Sequence, residues 1–229
     1  KKIILNRKEY ILSLARNETH RKKNEQLMQA RIRLIDYALS HQTIELLKET
    51  LNELENLTGS LISFFHSLNE DTGDIDLQIW SDRTINKFCS ITSQFDSHYS
   101  IEKAGVWADC IREKRTIIHN NFAALPNKKS LPDGHAAIIR EIVTPLIRNN
   151  KIVAILGLGN KAIDYNKEDV EIVNQLADLV WDIAERKIAE DSVKTSEERY
   201  RLLFNNMTQG YSLHEEIRDS SGLIKDYIF

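Results

Sequence analysis

Residues 142–158, IVTPLIRNNKIVAILGL, consist of two apolar runs separated by Asn149-Asn150. Asparagine accepts the backbone conformations of tight turns, and the runs on either side have the length and composition of strands. The segment therefore predicts an antiparallel hairpin. Pro145 has no N–H to donate to a ladder, so we expect it at a sheet edge or at a bulge.

A second hairpin is predicted upstream. Leu61–His66 is an apolar run, residues 71–74 (DTGD) have turn chemistry, and apolar and polar residues alternate over 75–80. Residues 84–103 predict a mixture of helix and loop. A short helix from Ala104 to Lys114 and a strand over 116–119 complete the centre of the chain.

A long helix is predicted before these strands, from about Glu18 to Leu57, because Lys1 to Thr58 contains neither Pro nor Gly. We expect a break near residues 40–42 and a stop at Gly59. The apolar stripe predicted for its second half is Ile44, Leu47, Leu51 and Leu54.

A second long helix is predicted from Lys167 to about Lys194, with Asn166 as its N-cap and Asp169 at the third position. It carries two adjacent apolar stripes. They are Ile172/Leu176/Leu179/Ile183 and Val173/Ala177/Val180/Ala184. One stripe suffices to cover a sheet, so the second predicts a partner subunit. The order of elements indicates an α+β fold, with an antiparallel sheet and long N- and C-terminal helices packed on one face.

Composition limits the functional classes. The chain has 229 residues and a net charge of −3, which gives no electrostatic reason to bind nucleic acid or a membrane surface. Its two cysteines, Cys89 and Cys110, do not make a disulfide framework, so we expect reduced thiols and a cytoplasmic location. No run is long and apolar enough to span a membrane. Both ends resemble interruptions of a longer protein.

The central residues resemble a GAF domain, a sensory module of signalling proteins, over roughly 34–190. The resemblance is carried by AGVWADCIR (104–112), IHNNF (118–122), LPDGH (131–135), ILGLGNK (155–161) and Asp164-Tyr165. The flanks resemble pieces of PAS domains. Residues 1–17 are similar to the end of one, and residues 196–229 to the truncated start of another. Residues 18–57 would then be a helical linker that runs into the first GAF helix, and residues 167–204 the C-terminal signalling helix. The resemblance implies a PAS–GAF–PAS parent, a two-component sensor histidine kinase.

The GAF resemblance also implies a pocket between the sheet and residues 84–135. Trp107, Cys110, Asn121 and His135 are its predicted ligand-binding residues. Trp107 is either a pocket wall or core packing, and Cys110 is either a redox thiol or a small buried hydrophobe. Asn121 stands where the pattern often has Asp.

Haem is an alternative ligand. His135 as an axial ligand with Cys89 nearby would suit it, although no Cys-x-x-Cys-His motif is present. No metal site is predicted, because two cysteines and scattered histidines have no ligand spacing.

Catalytic motifs are not evident. Residues 157–160 (GLGN) lack the third glycine of a dinucleotide fingerprint, so we expect these glycines to end a strand and let the chain turn. Some GAF-like proteins are free methionine sulfoxide reductases with several pocket cysteines, which Cys89 and Cys110 do not obviously match. We therefore expect this segment to be no enzyme.

The expected partners of this segment are a small molecule, a second copy bound through the long helices, and neighbouring PAS and kinase domains. The alternative to sensing is a ligand-free dimerisation and relay module.

Overall fold

The computed structural model of the chain describes residues 2–5, 8–11, 19–69, 74–88, 105–126, 136–206 and 215–228. The chain divides into two compact units, Lys1–Arg186 and Lys187–Phe229. The helices and strands are β1 (Lys2–Leu5), β2 (Lys8–Ile11), α1 (Thr19–Ser40), α2 (Thr43–Thr58), β3 (Ile62–Asn69), β4 (Asp74–Trp80), α3 (Asp109–Glu113), β5 (Ile117–His119), β6 (Glu141–Arg148), β7 (Lys151–Gly159), α4 (Lys167–Asn205), β8 (Glu215–Arg218) and β9 (Ile224–Ile228).

The first unit contains a five-stranded sheet in the order β4-β3-β7-β6-β5, and all of its neighbouring strands are antiparallel. Both predicted hairpins are confirmed, as β3–β4 and β6–β7. Asn149 and Asn150 have φ values of 51° and 64°, the left-handed conformation that allows the tight turn between β6 and β7. The α+β architecture is that expected from the order of elements.

Pro145 lies in β6 between β5 and β7, so the sheet-edge expectation for it was wrong. The register with β7 shifts one residue further on, between Leu146 and Ile147, which agrees with the expected bulge. On the other side of the strand, the described part of β5 pairs with Glu141–Val143 and ends before Pro145. The missing N–H therefore interrupts no ladder there.

Capping residues set the helix boundaries, and Gly59 and Asn166 among them were predicted. Gln42 and Glu45 form a capping box at the start of α2, and Gly59 ends this helix with a φ of 75°. Asn166 caps α4, because its Oδ1 accepts from the N–H of Glu168 at 2.9 Å, and its own N–H donates to Asp169 Oδ2 at 2.9 Å. The helix α4 ends at Asn205, beyond the end near Lys194 that its apolar stripes predicted.

One face of the sheet is covered by helices. Its core contains buried residues of the sheet (Phe65, Leu156, Leu158), of α2 (Leu46, Leu47, Leu51, Leu54), of α4 (Ile172, Val173, Leu176, Ala177, Val180) and of α1 (Leu27, Ala30, Leu34, Ala38). The stripe predicted for α2 needs one correction. Ile44 is 56% exposed, because it lies in the first turn, and Leu46 is buried instead.

The helix α1 folds back onto this same core. Besides its four buried residues, Lys23 donates to Glu168 at the start of α4 (2.5 Å), and Arg33 forms a paired contact with Glu53 of α2 (2.7 and 2.9 Å). The two apolar stripes of α4 therefore do not require a partner subunit. Another apolar stripe, on the outer side of α1, is exposed instead. It consists of Met28, Ile32, Ile35 and Leu39, each at least 44% exposed.

The chain ends contain two further hairpins, β1–β2 in the first unit and β8–β9 in the second. Strands occur where the PAS resemblance places them, and that assignment stays a prediction. Among the described residues, no helix has the length and apolarity needed to cross a membrane.

Candidate functional site

The face of the sheet opposite to the helices, which we call the site face, has its own apolar cluster. Side chains alternate along β3, so that Phe65 faces the helices while Phe64 and His66 point the other way. The buried members of this cluster come from several elements of the chain. They are Leu68, Cys110, Ile117, Val143, Ile152 and Ile155.

Residues 105–114, which we call the covering segment, lie against the site face. They form a 3-10 turn, Val106–Ala108, followed by α3, and so confirm the predicted short helix. Trp107 is half-buried, and its ring meets that of Phe64 edge-on at 6.2 Å. Trp107 thus packs on the face where the pocket was predicted.

Cys110 is fully buried beneath this segment, and its Sγ donates to the carbonyl of Trp107 at 3.4 Å. Burial raises the pKa of the thiol to about 12, and the carboxylates of Glu141 and Asp109 add to that shift. The thiol is therefore protonated at neutral pH. In the described structure Cys110 is a small hydrophobe of the cluster, and its ligand-binding role stays a prediction.

His66 is the unexpected residue of the site face. It is 6% exposed and lies among three aromatic rings: Phe64 at 4.7 Å, Trp107 at 5.7 Å and Trp80 at 5.9 Å. Burial lowers its pKa to about 4, so the imidazole is neutral at physiological pH. Its Nδ1 has no hydrogen-bond partner among the described residues. The sequence contained one signal for this position. Side chains two residues apart in a strand share a face, so His66 lies on the same face as the apolar residues Phe64 and Leu68.

Gly157 lies inside β7 beneath the ring of Phe64, which corrects the expectation that it ends the strand. The two residues are register partners, and a Cβ on Gly157 would lie 2.2 Å from Phe64 Cε1. Glycine therefore allows the aromatic ring to lie directly on the neighbouring strand. Gly159 is the last residue of β7, and the turn follows at Asn160, whose φ is 60°.

A charged group borders the site face at β5. His119 Nδ1 lies 2.9 Å from Glu141 Oε1, and its Nε2 lies 3.7 Å from Asp109 Oδ2 on α3. The hydrogen bond to Glu141 raises the pKa of His119, although partial burial opposes the shift. The three side chains connect the covering segment to the sheet.

Asn121, another predicted site residue, is not part of this arrangement. Asn121 is exposed at the start of a 3-10 turn, Phe122–Ala124. Its neighbour Asn120 instead exchanges two hydrogen bonds with the backbone of Tyr165 (2.8 and 3.0 Å). Cys89 and His135 lie outside the described residues, so their ligand and haem roles stay predictions.

Polar contacts connect the sheet to α4. At the start of α4, Lys161 Nζ donates to both carboxylate oxygens of Asp169, at 2.7 and 2.6 Å, and both residues are buried. Further along, Thr144 of β6 donates to Asn174 Oδ1 at 2.6 Å. Arg148, at the end of β6, donates to Asp178 at 3.0 Å and to Asp182 at 2.7 Å. The strand β6 is therefore bound to three successive turns of α4.

A family model described as GAF domain matches residues 40–185. The chain belongs to the GAF domain family. Solved structures agree on the fold. The GAF domain of an Acinetobacter phosphoenolpyruvate-protein phosphotransferase is 12% identical, with a TM-score of 0.57, over 73% of this chain and 95% of that one.

Among curated proteins, a methyl sulfide methyltransferase-associated sensor of Methanosarcina acetivorans is 29% identical over 196 residues. The alignment covers 82% of this chain but 19% of the relative. The chain therefore spans less than a fifth of that protein's length.

The expectation that this segment is no enzyme needs correction. Free methionine-R-sulfoxide reductase of Neisseria meningitidis, in complex with its substrate, has the same fold, with a TM-score of 0.55 and 15% identity over 76% of this chain and 95% of that one. The reduced form of the Staphylococcus aureus fRMsr matches with a TM-score of 0.50 and 17% identity over 71% of this chain and 94% of that one. The GAF fold thus serves enzymes as well as sensors, so neither the fold nor the missing motifs exclude catalysis.

Proposed function

We propose that this GAF domain is a sensory module that binds a small molecule at the site face and relays binding through its flanking helices. The observation that carries the proposal is His66, a neutral and nearly buried imidazole among aromatic rings on the face opposite to the helices. The sensor name of the Methanosarcina relative supports the same role. A ligand with different affinities for two arrangements of the domain would shift the equilibrium between them.

The contacts of β6 supply a physical connection for such a relay. Val143 and Ile147 belong to the cluster of the site face, while Thr144 and Arg148 of the same strand bond to α4. A displacement of β6 on ligand binding would therefore act on α4 directly. On this proposal the parent is a cytoplasmic PAS–GAF–PAS histidine kinase, and the helices lead to its neighbouring domains.

A thermal-shift screen of metabolites, followed by hydrogen exchange, tests this proposal. A ligand should raise the melting temperature of the chain and change the amide exchange of α4, and Trp107→Ala should weaken both effects. If no compound stabilises the chain, ligand sensing fails, and the ligand-free relay module takes its place. A ligand that leaves the exchange of α4 unchanged would contradict the relay alone.

Haem is the second candidate ligand, because the site face is apolar and aromatic, as a porphyrin requires. His135 and Cys89 are the proposed contacts. Reconstituted protein should show a Soret band that shifts in His135→Ala and in Cys89→Ala. The haem proposal fails if the Soret band is missing, or if both variants show the same band as the wild-type protein.

The proposed partner of α1 is a second copy of this chain. Its exposed stripe, Met28, Ile32, Ile35 and Leu39, has the spacing of a coiled-coil seam, with steps of four, three and four residues. In that heptad Arg31 is at position g and the exposed Asp36 at position e. Parallel coiled coils pair g with the e position five residues later in the partner helix. Arg31 of one copy would therefore face the oppositely charged Asp36 of the other. Antiparallel helices pair g with g and e with e, so Arg31 and Asp36 do not pair with each other there. We therefore propose a parallel homodimer.

Charge reversal distinguishes the two orientations by sedimentation equilibrium. In a parallel dimer, Arg31→Asp and Asp36→Arg should each raise the dissociation constant by about tenfold, and the double variant should restore it. In an antiparallel dimer the two residues do not pair, so the double reversal would not restore an affinity lost in the single variants. Ile35→Asp should abolish the dimer. The matched control is Ile44→Asp, because Ile44 is an exposed isoleucine outside the stripe.

A further inference from the structure

His66 has a buried ring nitrogen that makes no hydrogen bond to replace its lost contact with water. Its Nδ1 is inaccessible to solvent and has no hydrogen-bond partner among the described residues. Buried polar atoms in native proteins are nearly always paired, since an unpaired one destabilises the fold. A phenylalanine at this position would fill similar space without that penalty. The imidazole therefore needs an explanation other than packing.

The surroundings of His66 limit what could satisfy the nitrogen. The described rings of Phe64, Trp80 and Trp107 contribute flat hydrocarbon surfaces. None of them offers a charge that would attract an ion. Among the described residues, a ligand edge entering here meets mainly aromatic surfaces, and the unpaired Nδ1 belongs to an uncharged ring.

We propose that His66 is the polar anchor of the sensory site, and that it selects a flat, aromatic, uncharged ligand by one hydrogen bond to its Nδ1, which becomes accessible as the ligand displaces the surrounding rings. This inference rests on the proposed ligand-binding function and specifies its ligand class. The aromatic rings would supply contact area for many flat molecules, whereas the imidazole would discriminate among them, since leaving a buried ring nitrogen unpaired is unfavourable. On this proposal a residue of β3, His66, determines which ligand binds, whereas Trp107 of the covering segment contributes contact area.

Two probes of similar size and shape test the inference on the full chain. Benzimidazole carries a hydrogen-bond donor and an acceptor, so it can pair with either tautomer of His66, and it is neutral at pH 7.5. Indene carries neither group. Titration calorimetry or ligand-detected NMR should give a dissociation constant about tenfold lower for benzimidazole.

In His66→Phe the preference should disappear, while indene binding should remain within about twofold of wild type. The matched control is His41→Phe, because His41 lies between α1 and α2, where it stacks on Tyr37 at 3.5 Å, away from the site face. This control should keep the preference.

Removing the unpaired nitrogen should also raise the melting temperature of the ligand-free protein in His66→Phe, which reports on the same atom without any ligand. Equal binding of both probes to wild type, or a preference that survives in His66→Phe, would overturn the role of His66 and leave ligand sensing intact. If neither probe binds and His66→Phe melts lower than wild type, the nitrogen is satisfied within the protein and the inference fails. If neither probe binds and the metabolite screen also finds no ligand, sensing itself fails.

Discussion

Gly157 fixes the position of the aromatic rings on the site face. In Gly157→Ala the new methyl group would lie 2.2 Å from Phe64 Cε1, so the ring must shift and change its contacts with His66 and Trp107. We expect a stability loss of about 1–3 kcal/mol and a changed near-ultraviolet circular dichroism spectrum. The control is Gly159→Ala, whose Cβ would meet the aliphatic side chain of Ile62, and which should lose stability with little spectral change. Identical spectra for Gly157→Ala and wild type would contradict this packing.

The buried ion pair between Lys161 and Asp169 holds the start of α4. Lys161→Met would leave the carboxylate of Asp169, which is 2% exposed, without its cation. Removal of one partner from a buried pair typically costs about 3–5 kcal/mol, so urea unfolding should show a loss of that size. The double variant Lys161→Met/Asp169→Leu should recover most of it. A single variant as stable as wild type would mean that the pair contributes nothing.

His119 gives the domain a pH-dependent contribution to stability. Its hydrogen bond to Glu141 raises its pKa in the folded state above the ordinary 6.5. The folded protein therefore binds the proton more tightly, and the stabilisation is fully present below pH 6.5 and is lost as pH rises through the folded-state pKa. His119→Gln should consequently lower the free energy of unfolding more at pH 5.5 than at pH 9. An equal loss at both pH values would refute the linkage.

Strand β6 and helix α4 form the element pair through which we expect the relay to act. Arg148→Ala removes the bonds to Asp178 and Asp182, whose carboxylates are 60% and 66% exposed. Exposed ion pairs contribute at most about 1 kcal/mol, so amide exchange over residues 174–182 should rise by about fivefold or less. Arg115→Ala, which removes a local pair with Glu113, should leave that exchange unchanged. Unchanged exchange in Arg148→Ala would exclude this connection.

The elements differ in how far the sequence predicts them. The two hairpins and the helix ends at Gly59 and Asn166 follow from local signals, because turn and cap residues act within a few positions. The packing of α1 depends on contacts distant in sequence, such as Lys23 with Glu168, and periodicity alone does not identify which surface buries a stripe. The stripes of α4 therefore suggested a partner subunit although α1 of the same chain covers that core.

The site face shows the same limit. Trp107 was predicted through the family pattern, whereas His66 became a candidate only when its unpaired nitrogen and three ring neighbours were located. Those properties depend on residues from β3, β4 and the covering segment, which are far apart in the chain. Cys89 and His135 stay predictions of the sequence.

At the scale of the whole molecule, two surfaces of the GAF domain carry the account. The site face should hold a small molecule, and the outer stripe of α1 should hold a second copy. A ligand can bias a distant output only if its affinity differs between two arrangements of the helices, so the two surfaces must act together.

Native mass spectrometry of the chain purified from its own host tests both surfaces in one measurement. We expect a dimer with a non-protein mass on each chain. Trp107→Ala should lose the extra mass and remain a dimer, whereas Ile35→Asp should become a monomer that keeps it. A wild-type spectrum of bare monomer would contradict both ligand binding and dimerisation.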